Sequence, residues 1–138
     1  MGVRYEWLTA LPDVAQISIE SPWTWDEYRV VTRKVLDEMG AIPRPVANIV
    51  DVSRMGMMPR GDIMGNLRYV EQNMPENTVA SVIVGAPMIV TTFMNILTKM
   101  RPKAKSLALF ASSTSDALSQ IQTRFVEARQ EANVHAGS

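Results

Sequence analysis

The order of apolar and polar residues divides the chain into nine segments. From Val3 to Thr9, Val3, Tyr5 and Trp7 alternate with Arg4 and Glu6, the period-two pattern of a half-exposed strand. Leu11-Pro12-Asp13 reads as a turn, and Val14 to Ile19 as a second short strand able to pair antiparallel with the first. The period then changes. Tyr28, Val31, Val35 and Met39 recur on one helical face, and Gly40 stops that helix ahead of Pro43 and Pro45. Thr24-Trp25-Asp26-Glu27 at its start has capping-box spacing: Thr24 accepts from the backbone N–H near Glu27, and Glu27 reaches back. Val46 to Val52 is a continuous apolar run, as a parallel strand buried on both faces requires. A second helix is expected from about Arg60 to Asn73, with Ile63, Leu67, Val70 and Met74 as its buried stripe. Val79 to Gly85 is β-branched enough to prefer sheet. Ala86-Pro87 opens another helix, in which Ile89, Phe93, Ile96, Leu97 and Met100 are predicted to face inward. Ser106 to Ala111 is the last strand. Ser113 and Asp116 have the spacing that caps a final helix built on Leu118, Ile121, Phe125 and Ala128.

These segments predict one α/β domain over residues 1–138, with the last helix fraying near Asn133 into a loose tail. The expected architecture is a single mostly parallel sheet of about five strands with four helices, in the order β-β-α-β-α-β-α-β-α. The first strand joins antiparallel at an edge.

Composition narrows the classes of function. A chain of 138 residues can bury a sizeable core. Fourteen basic residues balance fourteen acidic ones, which argues against a general nucleic-acid or membrane-surface binder. Without cysteine there is no disulfide, thiol nucleophile or zinc-thiolate site. Met1 to Leu8 carries Arg4 and Glu6 and lacks the apolar core of a signal peptide. No integral membrane segment is expected, since none approaches the roughly 20 apolar residues of a span. Cytoplasmic location is the expectation.

Parallel strands end together, and ligands gather at that end. It should hold Ser21 to Asp26, Asp51 to Gly61, Gly85-Ala86-Pro87 and Ser112 to Ser115. One reading is a polar crevice for an anion or small ligand, formed by Thr24, Asp51, Ser53, Arg60, Ser112 and Ser113. The weightier reading is that these residue types cap helices. Asp51 and Ser53 could be an acid and a nucleophile, but the single histidine, His135, falls in the predicted tail. With one His, no Cys and no spaced carboxylates, no catalytic, cofactor or metal residue is assigned. Gly56 to Gly61 lacks the Lys-Ser/Thr of a phosphate loop. Trp23, Trp25, Ser53, Arg54, Met55, Met57, Met58 and Arg60 form a candidate interaction loop, because aromatics and Met are enriched in interface cores. The alternative is that the large ones fold inward over the sheet edge. Lys99, Arg101, Lys103 and Lys105 make a basic run, explained by the helix dipole and a solvated loop; the sharper reading is an acidic partner or lipid headgroup.

The element order, with Asp51-Val52-Ser53 ending a strand before a Gly/Pro loop and helix, resembles the STAS family, the anti-sigma-factor antagonist fold. The resemblance covers about residues 3 to 130 and looks nearest to a divergent branch, with Trp23-Thr24-Trp25-Asp26 opening the first helix and Val84-Gly85-Ala86-Pro87 the third. It implies regulation by docking on a protein, often a kinase, with Ser or Thr phosphorylated where the second helix starts. The matching positions here read Met58-Pro59-Arg60-Gly61, so the phosphoacceptor hydroxyl is absent. The expectation is a non-enzymatic STAS-like domain that binds a kinase-like or sigma-pathway protein, or its own copy. The alternative is a small-ligand or lipid carrier with an apolar pocket between a helix and the sheet. An enzyme has the least support.

Overall fold

The computed structural model describes residues 2–100 and 108–136, with side chains as far as residue 134. Five strands, β1 (Val3–Trp7), β2 (Val14–Glu20), β3 (Val46–Arg54), β4 (Thr78–Val84) and β5 (Ala108–Ala111), form one sheet in that spatial order. β1 pairs antiparallel with β2, and the remaining pairs are parallel. The helices described are α1 (Trp25–Gly40), α2 (Ile63–Gln72), α3 (Met88–Met100) and α4 (Thr114–Ala136). None is long and apolar enough to cross a membrane.

Strands laid down in sequence order with crossovers of one hand put the crossover helices on one face. α1, α2 and α3 accordingly share the larger core, in which Ile17, Ile19, Val35, Met39, Val46 and Leu97 are buried. Among the described helices α4 alone covers the other face, where Ala117 and Ile121 meet Ala47, Ile49, Ala80 and Val82. β3 alternates between the two cores, which is why its sequence is apolar throughout. α4 packs mainly on β3, β4 and β5; on that face Val14 at the start of β2 is buried, while Arg4 and Glu6 of β1 are exposed. Polar residues sit there, including Arg4 and Glu20, paired at 3.3 Å. On the helical side, Glu38 of α1 accepts from Tyr5 and from Trp7 Nε1 and holds the edge strand down.

Helix starts follow their caps. Thr24 accepts from the Glu27 amide at 3.1 Å, and Asp62 from the Gly65 amide at 2.9 Å. The capping box is only half made: the Glu27 carboxylate takes the Thr24 hydroxyl and the Gly2 amide, not the Thr24 backbone. At the far end of the sheet, the Asn77 side-chain amide donates to the carbonyls of Met39, Ile42 and Arg44, tying the end of α1 to the start of β4.

Three expectations change. Leu97 of α3 faces inward as expected, but its companions there are Val90 and Met94; Ile89, Ile96 and Met100 are exposed and Phe93 is half-buried. α4 continues to Ala136, past the fraying point expected near Asn133, and includes the backbone of His135. The stripe expected to be buried on α2 is only half-buried. Ser106, Leu107, Arg101, Lys103 and Lys105 lie outside the described residues; Lys99 is exposed in the last turn of α3.

Ile121 is fully buried and is the main aliphatic pin of α4. Ile121→Ala should lower unfolding free energy by about 2–5 kcal/mol, read from urea denaturation.

Candidate functional site

Backbone bonds confirm that the parallel strands end side by side: Ser21 N–H donates to the Arg54 carbonyl at 3.0 Å, and Gly85 N–H to that of Ala111 at 3.1 Å. Gly85 has φ +71°, and a Cβ there would come within 2.7 Å of the Ser53 Cβ, so glycine is required for β3 and β4 to finish this close together.

The Trp23-Thr24-Trp25 turn and the loop after β3 meet at this end. Trp23 Nε1 donates to the Met55 carbonyl at 2.8 Å, and Trp25 Nε1 to the Pro59 carbonyl at 3.0 Å. The indoles stand edge to face, with centroids 4.8 Å apart, and Trp25 meets Tyr28 in the same way at 5.3 Å. Trp23 and Met55 are buried, Trp25 and Met58 half-buried. Most of the large residues in the expected interaction loop therefore turn inward. Met57 alone among them stands out, 91% exposed. Arg54 and Arg60 are exposed as well.

What the inward residues cover is an apolar cavity of about 100 Å³. Trp23, Trp25, Met55 and Met58 close one part of it. Val50, Val52 and Ile83 form the sheet side; Leu67 and Val70 of α2 and Met74 just beyond it, with Val90, Met94 and Leu97 of α3, form the rest. α2 thus borders the cavity, and its Leu67 and Val70 are half-buried while still packed against the larger core. Tyr28, Glu71 and Ser81 are polar wall residues that the sequence does not mark as part of a site. One signal was available for Tyr28: a hydroxyl carried on the most buried stripe of α1. Tyr28 is 7% exposed, and its hydroxyl has no hydrogen-bond partner among the described residues. Burial pushes its phenol well above the usual tyrosine range; the nearby Arg29 charge acts more weakly in the opposite sense.

The candidate anion residues do not converge. Thr24, Asp62 and Ser113 each cap their own helix, Ser113 Oγ accepting from the Asp116 amide at 3.1 Å. Ser112 and Ser113 follow β5, three strands from the Thr24 turn after β2. At about 4.8 Å per strand that is roughly 14 Å, too far for one small anion to bridge. Asp51 Oδ1 accepts both the Ser53 amide, at 3.0 Å, and the Ser53 hydroxyl, at 2.6 Å. This is a local Asx turn closing the strand, and it leaves the pair occupied with each other. Among the described residues no three His, Cys, Asp or Glu side chains cluster as a metal site.

A second feature lies on the outside of α3. Ile89, Phe93, Ile96 and Met100 recur at spacings of four, three and four residues. Ile89, Ile96 and Met100 are 48%, 43% and 56% exposed. Met88 at the start of the helix is more exposed still, and Phe110, on the sheet face that α3 covers, is also exposed. Lys99 is the only charge in this helix.

Comparison with protein-family models, with curated proteins and with solved structures returns no match.

Two outcomes follow. Trp25→Phe removes the donor to Pro59 while keeping an aromatic ring. It should cost about 1 kcal/mol and speed amide exchange selectively over residues 55–61, measured by hydrogen exchange. Tyr28 ionises near 10 in the unfolded chain and higher in the folded one. Its contribution is complete below about pH 10 and declines above it by about 1.4 kcal/mol per pH unit, until the folded group also ionises. Wild-type protein should therefore lose urea resistance faster than Tyr28→Phe as pH is raised past 10.

Proposed function

We propose that this chain is a non-enzymatic, STAS-like interaction domain that pairs with a second copy of itself through the outer face of α3. The observation that carries this is the outer stripe of α3, in which Ile89, Ile96 and Met100 are exposed and Phe93 is half-buried. Its 4-3-4 spacing is that of a helix–helix seam. Monomeric proteins seldom leave a contiguous apolar helix face in water. The choice of occupant rests on charge. A face with a single Lys gives nothing for a strongly acidic or basic partner to recognise, whereas an uncharged apolar stripe is complementary to itself across a two-fold axis. The neighbouring sheet edge is a poorer place to pair. β5 has four residues, and the Phe110 carbonyl already accepts from Gln120 of α4 at 2.9 Å.

A non-enzymatic role agrees with the Asx-turn arrangement of Asp51 and Ser53 and with the separation of the cap residues. The STAS-like reading is supported by one mostly parallel sheet whose first strand is antiparallel at the edge. No Ser or Thr occurs between Arg54 and Gly65, so association here is constitutive and not relieved by phosphorylation where α2 begins.

Sedimentation velocity across a concentration series tests the pairing. Wild type should move from monomer to dimer, and Ile89→Asp with Ile96→Asp should remain monomeric with an unchanged circular dichroism spectrum. Wild type that is monomeric throughout, or a dimer abolished by Met57→Asp and not by the α3 changes, overturns this reading.

A further inference from the structure

The cavity behind the Trp23–Trp25 turn lies on the inner side of α3 and shares no lining residue with the outer stripe. Its size bounds what it can hold. Drug-sized ligands occupy roughly 300–1,000 Å³. This space is about 100 Å³, so nucleotides and acyl lipids are too large. An apolar cavity of about 150 Å³ accepts one benzene. Met55, Met58, Met74 and Met94 lie in the wall, and unbranched Met side chains adjust to a guest of that order.

The wall's polar groups bound the chemistry. The two indole N–H groups are committed to the Met55 and Pro59 carbonyls. The Ser81 hydroxyl donates to Asn48 Oδ1 at 2.6 Å. That leaves the Tyr28 hydroxyl as the uncommitted donor among the described wall residues, in a side chain more than nine-tenths buried. The apolar wall makes burial of a charged guest costly.

We infer that this cavity binds a small neutral molecule, about one carbocycle in size, whose single oxygen accepts a hydrogen bond from the Tyr28 hydroxyl. The apolar wall supplies the burial, and the hydroxyl selects a ketone or similar acceptor over a hydrocarbon of the same shape. Fatty acids and dinucleotides are excluded by size, and phosphates by the cost of burying their charge against an apolar wall.

The test uses full-length protein carrying ¹³C-methyl Met and ¹³Cζ-Tyr, titrated with cyclohexanone or with methylenecyclohexane, in which a CH2 group replaces the carbonyl oxygen. Cyclohexanone should shift the Met55, Met58, Met74 and Met94 methyls saturably and should move the Tyr28 Cζ signal, which the hydrocarbon should leave in place. Tyr28→Phe should weaken cyclohexanone roughly three- to tenfold, the worth of one hydrogen bond, and leave methylenecyclohexane affinity unchanged. Absence of saturable shifts at these methyls overturns the inference, as does a Tyr28 Cζ signal that responds equally to both probes. A Tyr28→Phe protein that binds both probes as wild type does, or loses both equally, also overturns it.

Discussion

Two indole N–H groups set the shape of the end of this molecule where the parallel strands finish. Trp23 and Trp25 reach carbonyls 32 and 34 residues away, at Met55 and Pro59. Those carbonyls belong to an irregular loop that forms no ladder at either point, and buried backbone oxygens need partners. With the donors in place, the loop after β3 is fastened to the start of α1, and Met55 and Met58 turn toward the sheet. Without them the same residues would be free to face solvent. The edge-to-face packing of Trp23, Trp25 and Tyr28 then fixes where the two donors point. The cavity, its lid and the isolation of Met57 all follow from this clasp.

The regular elements were largely legible because each had one dominant period. Tyr28, Val31, Val35 and Met39 form a single stripe of α1, and all are buried. The apolar run of β3 correctly signalled cover on both faces. α3 was misjudged for the opposite reason. It is apolar nearly all round, so Ile89, Phe93 and Ile96 formed as good a stripe as Val90, Met94 and Leu97, and periodicity had no basis for choosing between them. The sheet chose: Leu97 and Val90 meet the larger core, and the other stripe was left outside.

The site was legible in place but not in direction. Trp23, Trp25, Met55 and Met58 do gather at one end, as strand polarity implied. Whether a loop side chain points in or out has no periodic signature; here it was decided by hydrogen bonds between segments more than 30 residues apart. The proposed polar crevice failed on sheet order. A sequence shows that strands exist, not which are neighbours, and the observed order puts β2 and β5 at a distance. The Asp51–Ser53 turn could have been foreseen, because Asp two residues before Ser at a strand end is a usual Asx arrangement.

α3 is where the two proposed contacts meet. Val90, Met94 and Leu97 line the cavity, while Ile89, Phe93, Ile96 and Met100 carry the outer seam. A helix of 13 residues has little stability of its own, so its order depends on what lies on either side. A guest filling the cavity supports the helix from beneath; a second chain supports it from above. Each ligand that binds the ordered helix better than the frayed one favours the other, and linkage makes the effect equal in both directions. The coupling is bounded by how far α3 is frayed in the unliganded monomer: a fully ordered helix would transmit nothing by this route. The lone charge, Lys99, stands in the last turn, where it offsets the helix dipole without interrupting either apolar face.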